Sequence, residues 1–257
     1  MQPHIQCKEG DIASIVLLPG DPKRVDFIAS FLDDVKQVAD NREFRTITGT
    51  FEGTSVSVTS TGIGCPSTAI AVEELIACGA KTLIRVGTCG GAWREGIEPG
   101  SVIIPTASIR DEGTTVEFVP EGFPAVADTD VISALAQSAE GQGFAWYKGI
   151  NRTHDAFYAP DRSVIKWGEF YADERYRDVP SPIVSSEMEA SALFVIAALR
   201  GVRAGAVLAV DADPTPLKSM ALREEYLPNV AYKNKDVSKE AQGRMIQTAL
   251  GALTQLS

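Results

Sequence analysis

A chain of 257 residues with 24 Lys and Arg against 34 Asp and Glu carries a formal charge of −10. So acidic a chain has no broad basic face for the phosphates of a duplex, which excludes extended nucleic-acid binding. With 44% hydrophobic and 23% charged residues, it has the composition of a globular protein with a sizeable core, not of a disordered or fibrous one. Its length permits one or two domains, and a single domain over residues 1–257 is expected. No apolar run approaches the roughly 20 residues that cross a bilayer, and residues 1–10 lack a basic stretch followed by an apolar one, so a soluble cytoplasmic protein without a membrane partner is expected. The cysteines Cys7, Cys65, Cys78 and Cys89 form no CxxC pair, and His4 and His154 lie far apart, which leaves little for a zinc site or a redox dithiol. Reduced, structural thiols are the expectation.

The first predicted element is a strand over 15–18, closed by Pro19 and Gly20, with Asp21 and Pro22 as N-cap and first residue of a helix. Segments 45–51 and 54–61 alternate with period two around Glu52-Gly53 and predict a hairpin. The second segment runs into Thr61-Gly62-Ile63-Gly64, and 66–78 then has a helical pattern ended by Gly79. A strand over 82–86 meets a third glycine turn at Gly87-Thr88-Cys89-Gly90-Gly91, and 102–104 is another strand. Helices are predicted over 128–140 and 187–200, strands over 144–150 and 204–210, and a closing helix over about 237–256. Alternating strands and helices imply an α/β fold with a largely parallel or mixed sheet, in which ligands bind beyond the carboxyl ends of strands. The glycine turns and Asp211 all fall at such ends.

These turns do not fit familiar nucleotide loops. Gly62-Ile63-Gly64 would need a third glycine where Ser67 stands, and no GxxxxGK[ST] occurs. Arg24 and Arg85 suit a phosphate instead, since guanidinium forks match phosphate oxygens and Thr88 and glycine N–H groups can complete the shell. Arg24 by itself also fits an ordinary surface helix residue, whereas Arg85 interrupts an apolar strand and needs an anionic partner. Ser185-Ser186-Glu187-Met188-Glu189-Ala190 opens a helix with an apolar interior; its carboxylates either cap that helix or bind sugar hydroxyls. Asp211 ends an apolar strand, where desolvation would raise its pKa toward that of a proton donor; alternatively it is a turn residue.

Taken in order, Pro3-His4-Ile5, Leu18-Pro19-Gly20-Asp21-Pro22-Lys23-Arg24, Thr61-Gly62-Ile63-Gly64, Ile84-Arg85-Val86-Gly87-Thr88-Cys89-Gly90 and Glu187-Met188-Glu189-Ala190 resemble the nucleoside phosphorylase family of hexameric purine nucleoside phosphorylases and uridine phosphorylases. The resemblance implies a single domain with a central mixed, partly barrel-like sheet flanked by helices. It also implies phosphorolysis: nucleoside and inorganic phosphate, the co-substrate, give free base and ribose 1-phosphate in nucleoside salvage or catabolism, with no cofactor and no covalent enzyme intermediate. By the family pattern Gly20, Arg24, Arg85 and Thr88 hold phosphate, with Arg42 from a neighbouring subunit. Met188, Glu189, Thr88 and Tyr158 hold the ribose, with the neighbour's His4 at its 5′ end. Cys89, Gly90, Phe157, Ser186, Glu187 and Asp211 line the base, and Asp211, Arg85 and Glu189 carry the catalysis. Shared residues imply self-association into dimers and a hexamer built as a trimer of dimers.

The resemblance is divided over the base. Purine enzymes of the family place an Asp where Asp211 stands, often as Val-Asp-Gly, although Ala212 follows here. Uridine phosphorylases carry Gln and Arg four and six residues after a Phe; counting from Phe157 these positions are Asp161 and Ser163, with Arg162 between. Segments 61–74 and 123–128, and Thr88, look like the uridine enzymes. The base-contact positions favour a purine of the inosine or guanosine type, with uridine as the alternative and a nucleosidase or a non-catalytic nucleoside binder behind both. Glu43, Ile63 and Ser67 match the ligands of an interface monovalent cation, K+, in the uridine relatives.

Overall fold

The structure, a computed structural model, describes residues 1–90, 94, 96–157, 173, 175, 179–211 and 235–257. Its strands are β1 (Ile15–Leu18), β2 (Asp33–Asn41), β3 (Phe44–Phe51), β4 (Thr54–Thr59), β5 (Thr82–Cys89), β6 (Val102–Asp111), β7 (Ala125–Val126), β8 (Trp146–His154), β9 (Ile183–Glu187) and β10 (Arg203–Val210). The described helices are α1 (Pro22–Ala29), α2 (Cys65–Ala77), α3 (Thr115–Phe118), α4 (Thr129–Glu140), α5 (Ala190–Arg200), α6 (Lys235–Gly251) and α7 (Leu253–Leu256). The strands form one mixed sheet in the order β2-β3-β4-β1-β5-β10-β6-β8-β9, with β7 on β6. Among the described residues, no helix is long and apolar enough to cross a membrane.

Period-two alternation explains why both faces of this sheet are covered. Ile15 and Leu17 of β1, with Ile84, Val86, Val207 and Ala209, pack against α1, α4, α6 and α7. Val16 and Leu18, with Leu83, Ala204 and Ala206, face α2 and α5 on the other side. The local signals behave as their chemistry requires. Asp21 caps α1 by accepting from Lys23 N, and Asp128 caps α4 through Asp130 N and Val131 N. Glu52 (φ 48°) and Gly53 (φ 80°) both take positive φ, the turn that matches hairpin twist.

Three expectations need correction. Gly87, Thr88 and Cys89 are not a turn: β5 runs through them, held on one side by Leu208, Ala209 and Val210 of β10. Residue Glu187 ends β9, and α5 begins only at Ala190. Strand β8 starts at Trp146 and continues to His154, well past Ile150, because its outer half is buried among polar partners instead of in an apolar core. The edge strand β2 gives no periodic signal, since most of its residues are exposed and its register against β3 shifts twice.

The barrel-like character has a specific origin. From β5 the sheet passes through β10, β6, β8 and β9, and Gly90, just past β5, bridges back to Ser186 in β9, with Gly90 N donating to Ser186 O at 2.9 Å. This closes a ring of five strands and brings the carboxyl ends of β5 and β9 together, next to that of β10.

Candidate active site

The closure point gathers two groups of side chains on opposite faces of β5. Alternation puts Arg85, Gly87 and Cys89 on one face and Val86 and Thr88 on the other. Arg85 is buried, and its guanidinium lies over Gly87: a Cβ there would come within 2.8 Å of Arg85 Cζ. A missing side chain thus lets the arginine fold forward toward the strand end. Its Nη2 pairs closely with Glu189 Oε2, and its Nε lies 2.8 Å from Glu187 Oε2, near enough for an ion pair but not aimed for a hydrogen bond. Burial opposes charge on Arg85, but Glu189 and Glu187 outweigh it and hold the guanidinium firmly protonated. Nη1 is buried without a partner among the described residues.

The two glutamates divide the roles that the sequence leaves open. Glu187 Oε1 accepts from Asn151 Nδ2 and Thr153 Oγ1, each at 2.7 Å, and Oε2 accepts from Glu189 N at 2.8 Å and Ala190 N at 3.0 Å. Against the cost of burial, Arg85 and these donors keep its carboxyl below the usual range. With both oxygens engaged, Glu187 fixes Arg85 and caps the start of α5. Glu189 accepts from Gly64 N at 2.7 Å and faces Arg85, while burial, reinforced by the Glu187 charge, raises its pKa despite that arginine. Gly64 belongs to the second glycine turn, so that turn serves the site by presenting an N–H to Glu189. Met188 stands between the glutamates, and its carbonyl accepts from Cys65 Sγ.

On the other face Arg24, half-buried, donates from Nε to Gln242 Oε1 of α6 at 3.1 Å and reaches Val86 O through Nη1 at 3.4 Å. This arginine is no free surface residue. Asp211 follows β10, and burial raises its carboxyl from 3.8 to about 6 even though the Arg24 charge and the Thr88 hydroxyl pull it down. Asp211 Oδ2 and Ser186 Oγ are buried without hydrogen-bond partners among the described residues. Cys89 is buried with its thiol toward Ala209 O, and burial, with the nearby Asp211 charge, pushes its pKa well up, so the thiol is not a nucleophile. All four cysteines are free and buried.

The remaining expected residues lie around these groups. Gly20 sits against Gly62, whose N–H donates to Gly20 O at 3.0 Å. Phe157, 48% exposed, lies beyond β8. Arg42 (φ 56°) is exposed in the β2–β3 turn, next to Glu43, which accepts from Ser67 Oγ at 3.0 Å. Ile63 beside them is 78% exposed, and His4 is held by Glu74 of α2. Tyr158, Asp161, Arg162, Ser163 and Ala212 lie outside the described residues. Sequence reasoning missed Gly64 as the Glu189 partner, Asn151 and Thr153 around Glu187, and Gln242 behind Arg24. Asn151 and Thr153 are two apart and share a face of β8, a signal hidden by ending that strand at Ile150.

A family model described as "Phosphorylase superfamily" matches residues 14–242, which contain every strand among the described residues and both groups of side chains just described. The chain belongs to the phosphorylase superfamily. Within the superfamily it is 48% identical over 216 residues to a uridine phosphorylase of Thermococcus kodakarensis, covering 83% of this chain and 78% of that one. It is 37% identical over 257 residues to a guanosine phosphorylase of Halorubrum lacusprofundi, covering 99% of each. Among solved structures, a purine nucleoside phosphorylase from Toxoplasma gondii in complex with immucillin-H superposes with a TM-score of 0.82 at 29% identity, over 100% of this chain and 96% of that one. A uridine phosphorylase from Vibrio fischeri gives 0.81 at 31% identity, over 98% and 97%.

Proposed function

We propose that the chain is a nucleoside phosphorylase that cleaves the N-glycosidic bond of a purine nucleoside with inorganic phosphate, and that phosphate binds where β1 and β5 end. The observation that carries this reading is the buried, charged Arg85, whose Nη1 has no partner among the described residues, folded over Gly87 toward the end of β5, which carries Thr88 and which Arg24 of α1 reaches at Val86 O. A buried guanidinium with an open donor is matched best by an oxyanion. The phosphate, held by Gly20, Arg24, Arg85, Thr88 and a neighbour's Arg42, attacks the anomeric carbon as its bond to the base breaks. The bonding electrons pass to the base, and the products are free base and ribose 1-phosphate. Glu189 and Met188 orient the ribose with Tyr158, while Phe157, Ser186, Cys89 and Gly90 border the base. Catalysis is then positioning and charge stabilisation, with no covalent enzyme intermediate.

Asp211 supports a purine. A carboxyl raised to about 6, with a buried oxygen that has no partner among the described residues, can hold a proton near neutral pH and give it to N7 of the leaving base. The likeness to the Halorubrum guanosine phosphorylase along 99% of each chain favours the same choice. The second reading is uridine, favoured by the 48% identity to the Thermococcus uridine phosphorylase. His4, Arg42 and the exposed Ile63 support a dimer with shared sites, assembled into a hexamer, and Glu43, Ser67 and Ile63 would hold K+ at that interface. Phosphate-dependent release of base from inosine, guanosine, adenosine, 5′-methylthioadenosine and uridine, measured side by side, tests this reading. Fastest turnover of inosine or guanosine is expected; preference for uridine would overturn the purine assignment, and release without phosphate would overturn phosphorolysis.

A further inference from the structure

Adjacent glutamates near the end of α2 do different things. Glu73 faces outward and pairs with Arg200 at 2.7 Å on the surface. Glu74 is buried, and its carboxylate is given over to the N-terminal segment. Oε1 lies 2.6 Å from His4 Nδ1, and Oε2 accepts from His4 N at 3.1 Å and Ile5 N at 2.9 Å. From the other side Asn41 Nδ2 donates to His4 O at 2.7 Å, and the Phe44 ring meets the imidazole edge-on at 6.5 Å. Yet the His4 side chain remains 41% exposed. A surface histidine rarely has its backbone fixed on both sides and its ring fixed as well, since each restraint removes rotamer freedom that solvent would otherwise allow. Here the restraints converge on one result: the position and tautomer of the exposed ring edge.

We propose that Glu74 is a positioning residue that makes His4 a hydrogen-bond acceptor for the 5′-hydroxyl of a nucleoside bound in the neighbouring subunit. This rests on the reading of His4 given above. A carboxylate can only accept, so it places the imidazole proton on Nδ1 and leaves Nε2 as a lone-pair acceptor. Such an acceptor rewards a substituent that carries a hydroxyl proton and gains nothing from 5′-deoxy or 5′-methylthio groups. Glu74 therefore sets selectivity at the 5′ end from a place that touches no substrate. The substitution Glu74→Gln keeps one acceptor oxygen for the backbone N–H groups but has an amide to offer Nδ1, which would move the ring proton to Nε2 and turn that nitrogen from acceptor to donor toward the hydroxyl.

The test compares kcat/KM for a nucleoside and its 5′-deoxy analogue, with the base chosen by the assay above, in the parent, His4→Ala, Glu74→Gln, Glu74→Asp and the His4→Ala/Glu74→Gln pair. The parent should prefer the 5′-hydroxyl about tenfold, the scale of one hydrogen bond left unmade. Glu74→Gln should lower the ratio several-fold without abolishing it, because an Nε2–H can still donate to the hydroxyl oxygen but the ring has lost the carboxylate that fixes it; the 5′-deoxy substrate should keep its rate, and adding Glu74→Gln to His4→Ala should change nothing further. Glu74→Asp, which keeps the charge but withdraws it, should fall between parent and Glu74→Gln, and serves if the latter does not fold. A preference that survives His4→Ala refutes the role of His4 and the proposal with it. A preference lost in His4→Ala but kept in both Glu74 variants refutes the proposal alone, as does an equal fall of both substrates in Glu74→Gln.

Discussion

Replacing Asp211 by Asn separates the cost of this carboxylate from its use. In the folded chain its pKa stands near 6 instead of 3.8, mainly because burial penalises the charge. A raised carboxyl means that the folded state holds the proton more tightly than the unfolded state does. Stability is therefore highest below about pH 4 and is lost as pH rises through about 6, reaching about 3 kcal/mol above pH 7. Asn has no charge to bury, so the Asp211→Asn variant should gain on the parent with rising pH, and the gap between them should widen by about 2 kcal/mol from pH 4 to pH 8. Urea unfolding of both proteins, without nucleoside or phosphate, measures this directly. A gap independent of pH would refute the claim that the site holds a desolvated carboxyl. The same variant should lose about 10²- to 10⁴-fold in kcat with a purine nucleoside, while phosphate binding is retained. Full turnover by the more stable variant would remove Asp211 from the chemistry.

Arg85→Met strands Glu187 and Glu189 as buried, unpaired carboxylates and should cost about 3 to 5 kcal/mol in urea unfolding; a cost below about 1 kcal/mol would mean that the two glutamates are not held by the arginine. Gly87→Ala puts a methyl group into the Arg85 guanidinium and should raise the KM for phosphate about tenfold with little change in the KM for nucleoside; equal changes in both would point to general disruption of β5. Gln242→Ala removes the Arg24 Nε partner and should also raise the phosphate KM about tenfold, the lower end of the range for a hydrogen bond to a charged group. An unchanged value would mean that Arg24 is aimed without Gln242.

What could be read in advance followed local signals. Asp21-Pro22, Asp128, Glu52-Gly53 and the apolar strands 15–18 and 204–210 each state their structure within a few residues, through capping, turn chemistry and periodicity. The glycine turns and Asp211 marked the carboxyl ends of strands, and Arg85 stood out as a charge in an apolar strand. What could not be read depends on contacts distant along the chain. Gly90 with Ser186, Glu189 with Gly64 and Arg24 with Gln242 have no local signature, and β2 and the outer half of β8 lack the apolar period because one is at an edge and the other packs polar groups. For the same reason Glu187 and Glu189 look equivalent in sequence, although both pair with Arg85 and only their other partners differ: Glu187 accepts from Asn151, Thr153 and the start of α5, and Glu189 accepts from Gly64 N.

The bridge between Gly90 and Ser186 also bears on how the chain acquires activity. Contacts between distant segments carry the greatest loop-closure cost and tend to follow local structure in folding. The hairpins and helices of the first half can form early, but Arg85 has no Glu187 to meet until β10, β6, β8 and β9 have completed the ring. Substrate binding thus becomes a read-out of finished topology, and in refolding experiments regained turnover should trail the recovery of secondary structure.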